Sequence, residues 1–236
     1  MTKAGNDLVV ENANWKFDAQ VVEVFDDHVS KSVPLYHETH ELAASISDFF
    51  IGDGSVAYEL GSSTGQLLSV IAKRNQHKDI RLVGIDSVDS MVAAAEQKCA
   101  PYKSISFARD DILTFDYEKC DMIFSFYTIQ FVRPQKRQEL FDRLYEALNW
   151  GGAMLILEKV RAPDARFQDM MTSIYHDYKL SRGFSAEEVM GKANSLRGVL
   201  EPFSTQGNLD LMKRAGFVDI MSVYKWVCWE AFLAIK

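Results

Sequence analysis

Strand-like and helix-like segments alternate without a break between residues 56 and 160. The strand-like runs are short and apolar, and the segments between them have the apolar spacing and the length of amphipathic helices. Parallel strands joined by helices need right-handed crossovers, which place helices on both faces of one sheet. We therefore predict an α/β fold that is Rossmann-like, with a mostly parallel, doubly wound sheet.

The two ends of the chain depart from this alternation. The run FVDIMSVYKWVCWEAFLAIK predicts a terminal hairpin, which adds an antiparallel strand and completes a seven-stranded sheet. Helical spacing over 15–50, broken at Pro34, and over 164–200 predicts extra helices that roof the ligand crevice. Ser185 and Glu188 form a capping-box pattern, and residues 1–14 are expected to be loose. No linker is evident, so we predict a single domain over 1–236.

Composition excludes several classes of function. The formal net charge is -7 and no block of five basic residues occurs, so we expect no nucleic-acid partner. No apolar run is long enough to span a membrane, and the first residues lack the apolar core of a signal peptide. Three widely spaced cysteines indicate reduced thiols in a cytoplasmic protein. His37 and His40 are three residues apart but lack a third ligand, so no metal site is predicted.

Polar residues and glycines cluster where three of the predicted strands end. Gly61 and Gly65 flank the first turn, Asp86 ends the second strand, and Asp110 and Asp111 follow the third. Ligands of open α/β sheets bind at this edge. A carboxylate at the second position can accept hydrogen bonds from both hydroxyls of a ribose, and one at the third from an adenine amino group.

The first turn, GSSTGQ, lacks two of the glycines that a dinucleotide-binding loop requires. The side chain of Ser63 crowds a pyrophosphate but leaves room for an amino-acid tail, and Glu59 can attract an ammonium group. These features favour S-adenosylmethionine over NAD. Two structural alternatives stand beside this interpretation: Asp86 or Ser87 caps the following helix, or Gly65 only permits close packing.

The ordered set Glu59-x-Gly61-xxx-Gly65, Asp86, Asp111, LNWGG and the terminal FLAIK resembles class I S-adenosylmethionine-dependent methyltransferases. From Trp15 onward the chain also resembles one family, the carboxy-S-adenosylmethionine synthases of tRNA wobble-uridine modification. The stretches that carry this resemblance are WKFDAQVVEVFDDHVSKSVPLY, YELGSSTG, GIDSVDSM, TIQFV, LNWGGAMLILEK, YHDYK and KRAGF.

The resemblance implies a homodimer that transfers a carboxylate from prephenate to S-adenosylmethionine, giving carboxy-S-adenosylmethionine. It also implies that several residues line the cofactor pocket, namely Tyr36, Gly61, Asp86, Ser87, Asp111 and Ile112. Around the same turn and strand ends we expect further cofactor contacts from Glu59, Ser62, Ser63, Gly65, Met91 and Phe126.

Two positions depart from that family. Phe126 occupies the place of an asparagine, and Ala193 occupies the place of the arginine that grips the transferred carboxylate. Alanine cannot replace a guanidinium fork, although Arg197, Lys192 or Lys31 could substitute for it. Without a substitute, the pocket has an apolar wall at which Phe126 and Tyr127 stabilise an alkyl sulfonium.

We therefore predict an S-adenosylmethionine-dependent methyltransferase that acts on a small molecule, with His176, Tyr175 and Tyr127 as candidate catalytic residues and His37 as a further candidate base. The alternative is a carboxy-S-adenosylmethionine synthase with a relocated cation. A protein that only binds the cofactor, as a sensor or scaffold, is the third possibility.

Overall fold

The computed structural model describes residues 2–6, 8–17 and 19–236. In chain order its strands and α-helices are β1 (Thr2–Lys3), β2 (Val9–Val10), α1 (Ala19–Ser32), α2 (Tyr36–Ser47), β3 (Val56–Leu60), α3 (Gln66–Arg74), β4 (Arg81–Asp86), α4 (Asp89–Cys99), β5 (Ile105–Arg109), β6 (Cys120–Phe126), α5 (Pro134–Ala147), β7 (Leu148–Lys159), α6 (Ala165–Ser181), α7 (Ala186–Ser195), α8 (Thr205–Ala215), β8 (Asp219–Trp226) and β9 (Trp229–Ile235). A 3-10 helix over Ile129–Phe131 follows β6.

A seven-stranded sheet runs through the molecule in the order β5-β4-β3-β6-β7-β9-β8. Strands β3 to β7 pair in parallel, and β9 pairs antiparallel with both β7 and β8. The predicted fold class and terminal hairpin are confirmed. The strand order reverses between β3 and β6, because β4 lies on the other side of β3. A crevice is therefore expected beyond the carboxyl ends of β3 and β6.

Each face of the sheet is covered by an apolar layer. On one face, Ala43 and Ala44 of α2 and Leu68 of α3 pack on the strands. On the other face, Phe141 of α5 and Met212 of α8 do the same. Burying both faces explains why the central strands are almost continuously apolar in sequence. The floor of the crevice is thus held from both sides.

Residues 2–6 and 8–14 pack against the rest of the protein, which corrects for them the expectation that residues 1–14 are loose; residues 1 and 7 lie outside the described residues. β1 and β2 pair antiparallel, and Leu8, Val10 and Trp15 are buried against Val21 of α1. The backbone N–H of Trp15 donates to the carbonyl of Ser195 at 3.1 Å, at the end of α7. The alternating apolar residues of this short segment thus pack it against the roof helices α1 and α7.

The LNWGG stretch is part of β7 and not a separate turn. Leu148 pairs with Cys120, the next residues bulge out, and pairing with β6 resumes at Ala153. Gly151 permits the bulge because its φ of 79° suits glycine. The helix α5 ends one residue before this strand begins.

The extra helices form in the two regions where they were predicted. α1 ends before Pro34, and Leu35 adopts a left-handed φ of 54° before α2 starts. The capping box of Ser185 and Glu188 is present at the start of α7. Within residues 2–6, 8–17 and 19–236, no helix combines the length and apolar character needed to cross a membrane.

Candidate functional site

A cavity of about 410 Å³ lies between the carboxyl ends of β3, β4 and β6 and the helices α1, α6 and α7. Twelve of the predicted site residues line it: Tyr36, Glu59, Gly61, Ser62, Ser63, Asp86, Ser87, Met91, Phe126, Tyr127, Tyr175 and His176. Gly65, Asp111 and Ile112 are not in its wall. Ligand pockets in proteins have volumes of roughly 300–1,000 Å³, so this cavity can hold a small molecule.

The first turn is held tightly against β4 and β6. The backbone N–H groups of Gly61 and Ser62 donate to the carbonyl of Ile85 at 2.8 and 3.0 Å. Gly61 has a φ of 66°, and a Cβ there would lie 2.3 Å from the Oγ1 of Thr128. Ser63 also has a left-handed φ, and its hydroxyl donates to the sulfur of Met91 at 3.4 Å. The turn therefore needs glycine at Gly61 but accepts a side chain at Ser63.

The carboxylate of Asp86 is shared between this turn and the start of α4. One oxygen accepts from the backbone N–H of Ser63 at 2.9 Å and the other from that of Val88 at 3.0 Å. Burial raises the pKa of Asp86, and the backbone hydrogen bonds oppose that rise. Each oxygen retains a lone pair, so a ribose diol can still bind. The residue that caps α4 is Val88, without a side-chain bond, so the interpretation of Ser87 as N-cap was wrong.

Glu59 supplies an unpaired acid to the same end of the cavity. Its side chain is 4% exposed, and its Oε2 atom has no hydrogen-bond partner among the described residues. Burial, with a smaller contribution from Asp86, raises the pKa of Glu59 well above its usual value. Within the described part of the chain, the buried hydroxyl of Ser62 also has no hydrogen-bond partner. Such groups are costly to bury alone, and the amino-acid end of S-adenosylmethionine offers the ammonium and polar atoms that fit them.

The three predicted cofactor residues outside the wall have local roles. A Cβ on Gly65 would lie 2.9 Å from Cys99 and Phe107, so this glycine allows close packing between α3, α4 and β5. Asp111 is exposed, and its Oδ1 accepts from the backbone N–H of Leu113 at 2.9 Å. Contacts of Asp111 and Ile112 with an adenine remain predictions.

Aromatic side chains surround the next part of the cavity. The ring of Tyr36 lies 4.3 Å from that of His40, and the ring of Tyr127 lies 5.3 Å from that of Trp229. Tyr127 has a φ of 61°, an uncommon conformation for a bulky residue and one often found at functional sites. Phe126 lies beside both Tyr127 and His40. This wall is largely apolar where an asparagine was expected from the family.

His40 lines the cavity, although the sequence did not single it out as a site residue. It is 4% exposed and its Nδ1 has no partner among the described residues. Burial, with a smaller contribution from His37, lowers the pKa of His40 to about 3, so the ring is neutral at pH 7. His37 is exposed and is not in the wall. Of the two histidines, only His40 therefore contacts the cavity.

The three predicted catalytic residues differ in what they can do. The Tyr175 hydroxyl donates to the carbonyl of Ser32 at 2.9 Å, and burial raises its pKa well above the usual value. The Tyr127 hydroxyl lies 3.4 Å from that of Thr39, and burial also raises its pKa. Both therefore stay protonated. Burial and then Lys179 lower the pKa of His176, which leaves a neutral imidazole that can accept a proton.

Glu158 positions the segment that follows β6. It is 2% exposed, and its carboxylate accepts from the backbone N–H groups of Thr128, Ile129 and Gln130 at 2.9–3.1 Å. Burial raises the pKa of Glu158 to about 8 against the effect of those bonds. The side chains of Thr128 and Gln130 thereby reach the cavity wall. Sequence reasoning missed this acid because it lies inside an apolar strand pattern.

Lysines line the side of the cavity nearest the roof. The ammonium groups of Lys159 and Lys179 lie 4.7 and 5.0 Å from the centre of the Tyr175 ring. Lys192 lies over the ring of Trp15. Lys159 and Lys179 were not predicted, although Lys179 follows Tyr175 by four residues and so shares its side of α6.

Lys192 is the one proposed replacement for the missing arginine that reaches the cavity. Ala193 is also in the wall, next to it. Arg197 is exposed and outside the wall, and Lys31 forms an ion pair with Asp27 at 2.6 Å on the surface. The cations on this side of the cavity are therefore Lys159, Lys179 and Lys192, and not Arg197 or Lys31.

Comparison with known proteins agrees with this geometry. A family model described as a methyltransferase domain matches residues 57–152. Carboxy-S-adenosyl-L-methionine synthase of Campylobacter jejuni (serotype O:23/36, strain 81-176) is 37% identical over 223 residues, which is 94% of each chain. The protein of the same name from Desulfotalea psychrophila is 35% identical over 226 residues, covering 94% of this chain and 92% of that protein.

Among solved structures, human N-acetylserotonin methyltransferase in complex with S-adenosylmethionine superposes with a TM-score of 0.63 at 17% identity. The match covers 92% of this chain and 55% of the human chain, so it shows the shared fold alone. The match with the bacterial relatives extends over 94% of this chain. This chain belongs to the carboxy-S-adenosyl-L-methionine synthase family and is an S-adenosylmethionine-dependent enzyme.

Proposed function

We propose that the protein is a methyltransferase that acts on a small molecule. The observation that carries this proposal is the composition of the cavity beyond Glu59 and Asp86. Phe126, Tyr127 and Trp229 form an apolar wall there, and Ala193 stands where the family resemblance implies a carboxylate-gripping arginine. An alkyl sulfonium suits such a wall, since aromatic faces attract a cation by about 0.5–2 kcal/mol. A carboxylated sulfonium would find no guanidinium.

The residues of the chain divide the work of binding. Glu59 would take the ammonium group of the cofactor, Asp86 the ribose, and Asp111 with Ile112 the adenine. S-adenosylmethionine supplies an electrophilic methyl group when bound. The protein then acts chiefly by positioning the acceptor and excluding water, while the neutral imidazole of His176 takes a proton from a hydroxyl or amine acceptor.

Mass spectrometry of the ligand that copurifies with the protein tests this function. We expect S-adenosylmethionine or S-adenosylhomocysteine, and formation of S-adenosylhomocysteine when the protein is incubated with S-adenosylmethionine and a panel of small acceptors. Recovery of carboxy-S-adenosylmethionine, or its formation from prephenate, would rule out the plain methyltransferase.

The second candidate is a carboxy-S-adenosylmethionine synthase, the activity in the relatives' printed name. Its structural support is Lys192, which reaches the cavity next to Ala193. The double variant Phe126→Asn with Ala193→Arg should raise the protein's preference for carboxy-S-adenosylmethionine over S-adenosylmethionine in calorimetry. An unchanged preference would mean that these two positions do not face the sulfonium.

We also propose a cytoplasmic homodimer that binds no nucleic acid. The net charge of -7 supports the last point. On α6, Phe167, Met170 and Ile174 are exposed by 43, 51 and 47%, and an apolar stripe of this kind suits a subunit interface. Sedimentation equilibrium should give twice the chain mass of 26.8 kDa, whereas a single chain mass at micromolar concentration would contradict the dimer.

A further inference from the structure

Three lysines that have no acidic partner within the described part of the chain are gathered at the roof side of the cavity. Lys159 comes from the end of β7, Lys179 from α6 and Lys192 from α7, and all three line the cavity wall. None of the ion pairs found among the described residues includes any of them. Their contacts are instead the faces of aromatic rings. Three different elements thus converge on one positively charged region.

This arrangement is costly without a counter-charge. Lys179 is 8% exposed, and burial lowers its pKa to about 8, with Lys159 adding repulsion. Burial, then repulsion from Lys179, lowers the pKa of Lys192 well below its usual value. Cation–π contacts offset only part of such a penalty, because a buried charge normally needs an opposite charge or several hydrogen bonds.

Two further groups on this side lack partners. The side chain of Trp229 is 5% exposed, and its indole N–H has no acceptor among the described residues. The buried hydroxyl of Ser32 likewise has no partner among them. Both residues line the cavity. Neutral donors and ammonium groups that face the same space can all be satisfied by one anion with several oxygen atoms.

We infer that Lys159, Lys179 and Lys192 form a subsite for the anionic group, carboxylate or phosphate, of the molecule that accepts the methyl group. This inference rests on the proposed function, because it assigns the acceptor's chemical class in the same cavity. Tyr175 and Trp229 lie beside the subsite, 6.0 Å apart between ring centres, and offer an apolar surface. The acceptor is therefore a small anion with an apolar or aromatic body.

Calorimetry on the protein saturated with S-adenosylhomocysteine tests the subsite. Phenylacetate, phenyl phosphate and neutral 2-phenylethanol serve as probes of similar size. We expect at least one of the two anions to bind at least tenfold more tightly than the alcohol. Preference for phenylacetate identifies a carboxylate acceptor, and preference for phenyl phosphate a phosphate. An alcohol that binds as well as the anions would overturn the inference.

Matched variants show which lysines contribute to binding of the anion. Lys179→Met and, independently, Lys159→Met should weaken the preferred anion at least tenfold while leaving S-adenosylhomocysteine affinity unchanged. Lys103→Met removes the same charge from an exposed position outside the cavity and should leave both affinities unchanged. Equal effects of Lys179→Met and Lys103→Met would contradict the subsite. Failure of the proposed function would instead show as carboxy-S-adenosylmethionine that copurifies with the wild type or forms from prephenate.

Proton uptake provides a readout that does not depend on any variant folding. The other titratable or charged groups that influence the lysines or lie beside them are His28, His176, Arg161, the Cys228 thiol and the Tyr175 hydroxyl. An anion favours the charged form of Lys179, whose pKa is about 8 without one. Anion binding at pH 8 should therefore take up protons, measured as a dependence of the binding heat on the buffer's ionisation enthalpy, and should weaken above that pH. Binding without proton uptake would contradict the inference.

Discussion

At the scale of single residues, the site is built from side chains whose polar atoms are incompletely satisfied. Asp86 uses one lone pair of each oxygen to join the first turn to α4 and keeps the others. Glu59 has one carboxylate oxygen that finds no partner among the residues the structure describes. Buried polar groups in native proteins are rarely left so, and those that are commonly mark a ligand site. These two acids can therefore be tested separately from the fold.

Replacing Asp86 by alanine should weaken S-adenosylmethionine binding by about 1–3 kcal/mol, the usual contribution of hydrogen bonds to a charged group. Calorimetry measures the loss directly. Asp116→Ala is the matched control, because Asp116 is exposed and is not in the cavity wall. If the two variants bind alike, the ribose does not lie at Asp86.

At the scale of elements, a polar link joins the roof to the floor. The ammonium of Lys98 on α4 contacts Asp26 on α1 and donates to the Thr64 hydroxyl at 2.9 Å, and that hydroxyl donates to Asp26 at 2.6 Å. Thr64 belongs to the first turn, so this link ties α1 to the cofactor end of the cavity. Its groups are partly exposed, at 29% for Lys98 and 46% for Asp26.

Breaking this link should loosen the roof more than it destabilises the protein. Lys98→Met is expected to cost only about 0.5–1 kcal/mol of unfolding free energy, because partly exposed ion pairs are screened by solvent. The dissociation rate of S-adenosylmethionine, measured by stopped-flow displacement, should rise several-fold. Lys73→Met on α3, whose side chain is exposed, is the control. An unchanged dissociation rate would show that α1 does not retain the ligand.

The elements also show which features of the fold and of the site can be predicted from the sequence. Strict alternation and the handedness of crossovers predicted the sheet, and the acids Glu59 and Asp86 at the ends of β3 and β4 predicted one end of the cavity. Of the three cavity lysines the sequence indicated only Lys192, because Lys159 and Lys179 look like ordinary surface residues until their elements meet. Likewise, two apolar residues in a polar segment, Leu8 and Val10, were too few to predict that this segment packs against α7.

At the scale of the whole molecule, buried histidines couple stability to pH. Burial lowers the pKa of His40 to about 3 from an ordinary value of 6.5, so the folded state holds it neutral. The unfolded chain binds a proton below pH 6.5, and the histidine's contribution is therefore fully present above that pH and is lost as the pH falls toward 3.

The difference between His40→Gln and the wild type isolates this effect from the buried acids, which titrate in the same range. We expect the wild type's advantage in unfolding free energy to shrink by up to about 1.4 kcal/mol per pH unit as the pH falls from 6.5. Urea unfolding at several pH values measures it. A difference that stays constant between pH 7 and pH 4 would mean that His40 is accessible to protons in the folded state.

Leu35, with its left-handed backbone conformation, separates α1 from α2, and we expect it to act as a hinge between these two helices. Residues of α1 and α6 line the cavity that Glu59 enters, so we expect a bound ligand to exchange faster when these helices part. Release of the nucleoside product, and not the chemical step, is then expected to limit the rate of each catalytic cycle. The turnover rate of such an enzyme is set by the rate of opening. We therefore expect the protein to copurify with bound ligand and to be inhibited by its own product.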